Sequence, residues 1–516
     1  MSLMPYRPEP YVDFSQPGPA AAMKAALDKV RGELGRHYPL WIGADPITTD
    51  GRIVSVNPAK PSEVVGETSK ADVALADRAI RTAAEAFKTW SRVAPEERAR
   101  YLLRAAAILR RRIYEFSAWM CFEVSKNWIE AYADACEAID FMEFYAREMM
   151  RLGGSHPVVP WPGEEAELRY IPLGVGVVIP PWNFPLAITV GMTTAAIVTG
   201  NTVVLKPAST SPIIAAKFFE VLQEASLPPG VVNFLPGPGG SMGDALVQHP
   251  LTRFISFTGS KEVGMRIFEL AAKVQPGQKW LKRTVLEMGG KDATCVDFPC
   301  DVDLAVREAV AGAFGFQGQK CSAGSRLIVH QRVYDEVLER VCEATRKLTT
   351  GIPSETNPNM GAVIDDKSQR KILEYIEIGK TEGRLAVQSE IPAGDGYFVP
   401  ATVIADVDPD ARIAQEEIFG PVLAVIKARD FDEILRIANG TEYGLTGALI
   451  SNERTHIERA RHEFHVGNLY FNRKCTGALV GVQPFGGFNM SGTDSKAGGQ
   501  DYLQLFLQGK SITERW

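Results

Sequence analysis

An α/β fold is what this sequence predicts, and three observations carry the prediction. From Gly174 to Ala272, short runs rich in valine and isoleucine alternate with longer helical stretches. A second alternating block begins near Arg283 and continues to about Phe464. The chain has 516 residues, 45% hydrophobic and 23% charged, which suits two or three ordinary soluble domains better than one core. Strands alternating with helices of this length imply a parallel sheet with helices on both faces.

Residues 20–36 read as an amphipathic helix, and 43–65 as short strands with turns at Asp50-Gly51 and Lys60-Pro61. Two or three long helical patterns follow, over 71–91 and from Pro95 to about Arg151. Arg98, Arg100, Arg104 and Arg110 to Arg112 recur there at helical spacing, the pattern of a solvated face. Prolines between 157 and 162 interrupt it, and a strand-like arm runs on to Ile171. In the first block, strands fall at 174–179, 202–205, 231–235 and 253–257, with helices at 186–198, 212–225, 242–247 and 261–272. That rhythm is the dinucleotide-binding architecture. In the second block, strands lie near 293–296 and 326–329, and helices start at Val302 and Val333. Residues 467–488, rich in glycine and aromatics, read as a loop lining a site, and 501–516 resume a strand pattern.

The formal net charge of -6, with no basic cluster to override it, argues against a nucleic-acid partner. Any anionic ligand must then be held by local devices such as helix N-termini. Residues 1–16 carry prolines and acids without an apolar core, so a signal peptide is not expected. The most apolar region, 173–205, is broken by Pro180, Pro181 and Pro185, so no membrane span is expected either. Seven cysteines (Cys121, Cys136, Cys295, Cys300, Cys321, Cys342 and Cys475) are odd in number and lack CxxC spacing. That usage points to a reducing cytosol, without a disulfide framework or a metal site.

One cysteine stands apart. Cys321 lies in Gly318-Gln319-Lys320-Cys321-Ser322, between a helical pattern and a strand, with polar neighbours that suit a reachable, partly ionised thiol. It reads as a covalent nucleophile. Glu287, at the end of an apolar strand before Met288-Gly289-Gly290, can be a general base if burial raises its pKa, or a rim salt-bridge partner. Asn183, set between Trp182 and Phe184 and flanking prolines, can donate to an oxyanion or cap the next helix. Two strand-to-helix turns could take a phosphate, Phe257-Thr258-Gly259-Ser260 and Pro236 to Gly243, though either is equally readable as a plain turn. Lys206, ending another strand, is placed to meet a ribose hydroxyl, and a solvated lysine would look the same.

Taken together and in order, these stretches resemble the aldehyde dehydrogenase superfamily over nearly the full length. The matching motifs are Pro181-Trp182-Asn183-Phe184-Pro185, Lys206-Pro207-Ala208-Ser209, Phe257 to Ser260, Glu287 to Gly290, Gly318 to Cys321, Gln415 to Pro421 and Pro484 to Gly487. Within it, Gly318 to Ser322 and Phe464 to Gly481 resemble the 1-pyrroline-5-carboxylate dehydrogenases, the bacterial single-function branch most of all. The resemblance implies a Rossmann-type cofactor domain, an α/β catalytic domain and a β-hairpin oligomerisation flap. The corresponding boundaries are 1–154 with 172–286, then 287–466 with 467–488 returning to the site, and 155–171 with 489–516.

It also implies the chemistry. Cys321 would attack an aldehyde, with the side chain of Asn183 and the backbone amide of Cys321 holding the oxyanion. Hydride would pass to a nicotinamide, and Glu287 would activate water against the thioester. Cofactor positions carried over are Ile179, Trp182, Lys206, Ser209, Gly239, Gly243, Thr258, Gly259, Ser260, Val263, Glu417 and Phe419. Substrate positions are Ser322, Gly477 and Ala478 for an α-carboxylate, with Phe184 and Phe485 flanking a methylene chain. NAD is expected, with NADP tolerated, because serine stands at 209 where many NAD-preferring relatives carry glutamate. The resemblance places Glu137 on a helix bordering the substrate entrance, where it would either meet the substrate's amino group or stand, as the simpler expectation, as a surface carboxylate.

The implied reaction is oxidation of L-glutamate γ-semialdehyde to L-glutamate, the second step of proline degradation, in the cytoplasm. A homodimer or an assembly of dimers is expected, and a transient contact with proline dehydrogenase is an open expectation. Three other readings compete: another semialdehyde such as succinate semialdehyde, a cysteine hydrolase using His330, His462 or His465, and a catalytically silent relative.

Overall fold

The computed structural model of the protein describes residues 4–516. Two seven-stranded sheets form its body. The first runs Arg283–Glu287, Thr252–Thr258, Val175–Ile179, Thr202–Leu205, Val232–Phe234, Leu40–Ile42 and Asp45–Ile47. From Arg283–Glu287 to Val232–Phe234 neighbouring strands are parallel, and the last two additions are antiparallel. Chain order reverses between Val175–Ile179 and Thr252–Thr258, which opens a crevice beyond their carboxyl ends. These strands are nearly continuous apolar runs because helices cover both faces.

The second sheet runs Arg384–Gln388, Thr402–Ala405, Val422–Ala428, Gly324–His330, Asp292–Val296, Thr446–Ile450 and Asn468–Phe471. Only the Arg384–Gln388 edge is antiparallel. Its side chains alternate between two apolar clusters: Ala293, Cys295 and Ile328 enter one, Val296, Leu327 and Val329 the other. The chain crosses between the sheets in the short span 288–291. Glu287 therefore ends a strand of the first sheet and Asp292 begins one of the second, so the carboxyl ends of one meet the amino ends of the other.

A third layer is a ribbon. Leu507–Arg515 pairs antiparallel along the whole of Glu164–Pro172, with His156–Pro157 on the far side. Val159 and Trp161 stand exposed at its turn, at 88% and 70%.

Several local readings need revision. The first helix is Pro17–Arg31, ended before the strand Arg36–Tyr38. The pattern from Pro95 divides into Pro95–Arg111, Ile113–Glu123 and Trp128–Leu152, because Ser125 takes a positive φ of 56° and Asn127 caps the last helix. Arg98 is not on a solvated face. It is buried, and its Nε donates 2.7 Å to the Val198 carbonyl at the end of another helix. Arg283–Glu287, read as the start of the second block, is the edge strand of the first sheet. Asn468–Phe471, read as loop, is the edge of the second. Among the described residues no helix is long and apolar enough to cross a membrane.

Candidate active site

Cys321 is delivered by a tight turn. Helix Val302–Phe314 ends in the 3₁₀ turn Gly315–Gly318, where Phe316, Gln317 and Gly318 take positive φ of 49°, 56° and 66°. Two non-glycine residues in the left-handed region store strain that surrounding bonds must hold. Gln317 Nε2 donates to the carbonyls of Ser125 (3.2 Å) and Ala362 (2.8 Å), and Ile364 N–H donates 2.9 Å to Gln319 Oε1. Gly318 is required, since a Cβ there would collide with the Gly420 carbonyl. The strand Gly324–His330 follows, leaving Cys321 partly exposed at the amino end of the second sheet.

Its electrostatics differ from expectation. Burial pushes the Cys321 thiol well above its usual pKa, and the carboxylates of Asp292, Glu287 and Glu417 push it further. Lys320 does not assist: its ammonium lies 2.7 Å from Glu130 Oε1. These surroundings favour the protonated thiol over the thiolate, opposite to the direction that the polar sequence neighbours suggest.

Asn183 follows the first-sheet strand Val175–Ile179 by way of Pro180 and Pro181, and is 4% exposed. Its Nδ2 donates 3.0 Å to the Gln319 carbonyl, which ties it to the cysteine turn and leaves a second amide hydrogen free. Glu287 is buried at the end of its strand, and desolvation pushes it up to about 8. Ser495 Oγ donates to its Oε1, while Oε2 has no partner among the described residues. Neither a rim salt bridge nor a helix cap describes these two side chains.

The crevice between the sheets collects most of the cofactor positions. Ile179 pairs in register with Phe257, next to Thr258. Ser260 caps Lys261–Ala272 by accepting from Val263 N–H at 3.4 Å. Gly259 is needed beside the Phe257 ring, which a Cβ would strike. Lys206 is buried, not solvated; among the described residues its ammonium hydrogen-bonds only the Pro207 carbonyl, at 3.5 Å, and desolvation lowers its pKa to about 8. A Cβ on Gly243 would stand 3.9 Å from Lys206 Cε, so the two turns meet here, with Gly239 and Ser209 exposed nearby in sequence. Trp182 and Phe419 stack edge to face at 5.5 Å. Glu417 Oε1 accepts from Gly290 N–H at 3.0 Å, and a Cβ on Gly289 would collide with that carboxylate.

The positions expected to meet a substrate have local settings of their own. Ser322 is buried, with its carbonyl accepting from Cys475 Sγ at 3.4 Å. Gly477 has φ +80°, and Arg473 Nη2 donates to the carbonyls of Thr476 (2.8 Å) and Gly477 (2.9 Å), shaping the turn that bears Ala478. Phe485 is half-buried and bridges Ala497. Phe184 lies under the Lys126 ammonium at 3.9 Å. Glu137 is not a surface carboxylate: it is half-buried and raised to about 8 by desolvation and by Asp134.

Sequence reasoning missed Ser495, Arg473 and the Lys126–Asp134 pair. A serine following an aspartate in a glycine-rich tail carries no local signal. A lysine eight residues before an aspartate reads as two exposed charges until helix packing buries both.

The model of the aldehyde dehydrogenase family matches residues 47–512. The 1-pyrroline-5-carboxylate dehydrogenase of Geobacillus thermodenitrificans is 61% identical over 512 residues, 99% of each chain. A Thermus 1-pyrroline-5-carboxylate dehydrogenase solved with bound NAD superposes with TM-score 0.98 at 55% identity, over 100% of each chain. Proline utilization A from Bdellovibrio bacteriovorus matches 100% of this chain with 54% of its own, at TM-score 0.98 and 42% identity.

Proposed function

The chain belongs to the aldehyde dehydrogenase family, and on that premise we propose that it oxidises L-glutamate γ-semialdehyde, the open form of 1-pyrroline-5-carboxylate, to L-glutamate with NAD. The observation that carries the reading is the meeting of Cys321, Asn183 and Glu287 where the two sheets face each other. Full-length similarity to enzymes named for this reaction supports the substrate.

The residues present fit a dinucleotide. A buried lysine without a counter-ion among the described residues, Lys206, suits ribose hydroxyls. The N-terminus of Lys261–Ala272 faces the crevice with Ser260 and suits a pyrophosphate. Glu417 and Phe419 would take the nicotinamide ribose and ring, with Ile179, Trp182, Gly239, Gly243, Thr258, Gly259 and Val263 completing the groove. Bound NAD supplies the hydride acceptor.

The protein's own residues do the rest. The Cys321 thiol releases its proton to solvent and its sulfur bonds to the aldehyde carbon, while the free Asn183 amide hydrogen and the Cys321 backbone N–H receive the oxyanion. Oxidation at that carbon leaves a thioester on Cys321. Glu287, poised near neutrality, takes a proton from water as the water oxygen adds to the thioester, and the carboxylic acid leaves with the thiol restored. Ser322, Gly477 and Ala478 are assigned to the substrate α-carboxylate, Phe184 and Phe485 to its methylene chain, and Glu137 to its amino group.

The same proposal divides the chain into a cofactor part, 1–154 with 172–286, a catalytic part, 287–466 with 467–488, and a ribbon, 155–171 with 489–516, that joins subunits in a homodimer or assembly of dimers. Exchange with a proline dehydrogenase in the cytoplasm fits the likeness to proline utilization A. The test is NADH formation by purified protein with pyrroline-5-carboxylate, beside succinate semialdehyde and a Cys321→Ala control. Turnover with the first that is lost in the variant is expected; turnover with succinate semialdehyde alone would overturn the substrate.

A further inference from the structure

We infer that Ser495 is a positioning residue for the hydrolytic half-reaction, holding one oxygen of Glu287 so that the other is presented to the attacking water. The inference rests on the proposed role of Glu287 as the base that releases the acyl group from Cys321.

The segment that carries Ser495 is registered on the strand that carries Glu287. Met288 N–H donates 2.8 Å to the Ser491 carbonyl, and Thr493 N–H donates 3.0 Å to the Leu286 carbonyl. Leu286 N–H donates 3.0 Å to Thr493 Oγ1, and Glu287 forms a β-bridge with Gly492. Two reciprocal bonds between Phe485 and Ala497, at 2.7 and 2.9 Å, close the other side. Inside this frame the Ser495 hydroxyl donates to Glu287 Oε1, and Oε2 is buried without a partner. Glycines leave the room: a Cβ at Gly492 would stand 3.4 Å from Oε2, and one at Gly486 would stand 3.0 Å from Oε1.

Other groups around the carboxyl do not replace the serine. Lys496 acts on the same carboxyl, but its ammonium is held by the carbonyls of Gly467 (2.8 Å) and Gly486. Asp494 and Tyr502 act on the same carboxyl, the Gly487 amide favours its ionised form, and the Cys321 thiol faces it across the site. A hydroxyl that donates to an ionised carboxylate both orients it and favours ionisation, which sets where the base begins to work. Removing the hydroxyl frees the carboxyl to rotate and raises the pH at which it deprotonates.

The test uses p-nitrophenyl acetate, which needs neither the amino-acid aldehyde nor the cofactor. Cys321 loses its thiol proton to solvent as its sulfur attacks the ester carbonyl and p-nitrophenolate leaves; water then adds to the acetyl thioester with Glu287 taking its proton, acetate is released and that proton returns to the sulfur. The burst of p-nitrophenolate reads acylation and the steady state reads deacylation, so failure of the semialdehyde assignment leaves the readout intact. Ser495→Ala is expected to keep the burst amplitude, to slow the steady state roughly tenfold, a part of the ~10²–10⁴ that a general base supplies, and to move the acid limb to higher pH. Ser495→Thr is expected to restore both, and Glu287→Gln to keep the burst while abolishing the pH limb. A parental steady state and unmoved limb in Ser495→Ala would overturn the inference. So would an equal fall of burst and steady state that threonine does not rescue, which marks a structural serine.

Discussion

Lys126 Nζ lies 2.6 Å from Asp134 Oδ2 with neither side chain exposed, and the pair joins three parts of the active site. The ammonium also sits 3.9 Å from the Phe184 ring centre and 4.7 Å from that of Phe316, in the turn before Cys321. Asp134 Oδ1 accepts from Ala187 N–H at 2.6 Å, at the start of the helix that follows Asn183. Removing one partner leaves a buried charge alone, so Asp134→Ala should cost about 3–5 kcal/mol of unfolding free energy. Lys126→Met combined with Asp134→Leu should recover most of it. Chemical denaturation of the three variants measures both statements, and a double variant as weak as the single would refute the account.

Asn183→Ala should lower kcat about 10²–10³-fold, the usual loss for one oxyanion donor. The amide also holds the Gln319 carbonyl, so NAD affinity and Tm serve as controls. Both should stay near parental values if the loss lies in the transition state.

Activity should follow the ionisation of Glu287. Its pKa is raised to about 8 by burial, and the base works only when ionised, so kcat should rise with pH through about 8 and level off above. Glu287→Gln should flatten that limb and retain the first turnover of NADH. The sign for stability is opposite. A carboxyl whose folded pKa exceeds its unfolded 4.5 holds its proton more tightly when folded, so it stabilises below about 4.5 and that contribution is lost as pH rises to about 8. The Tm of Glu287→Gln should therefore gain on the parent between pH 5 and pH 9.

Cofactor choice should respond to position 209. Ser209 is exposed in the turn after Thr202–Leu205, three residues beyond Lys206. A carboxylate there would face a 2′-phosphate, so Ser209→Glu should cut kcat/KM with NADP on the order of 10²-fold and leave NAD within a few-fold. Equal losses with both cofactors would mean that position 209 does not face the ribose.

The reading along the chain was good wherever a neighbour in sequence decides the structure. Strand Thr202–Leu205 and helix Lys261–Ala272 fall where their apolar periods place them, because those periods reflect burial on one or both faces. Helix Trp128–Leu152 is not separable in sequence from its predecessors, because Val124 to Asn127 break the pattern through one left-handed residue and a cap, signals a few residues long. Asn468–Phe471 was missed because an edge strand is recognised by its partner, Thr446–Ile450, rather than by its own residues.

By itself the sequence determined the α/β class, the order of the motifs and which residues are proposed as nucleophile, base and amide donor. Those follow from residue type beside glycine, proline and strand end, which are short-range properties. Tertiary structure alone decided the electrostatics. The Cys321 thiol is pushed up by burial first and then by the carboxylates of Asp292, Glu287 and Glu417, while Lys320, its neighbour in sequence, is drawn away to Glu130. Glu287 owes its hydrogen bond to Ser495, 208 residues away. Desolvation and charge act through distance in space, and chain position does not report that distance until the two sheets have met.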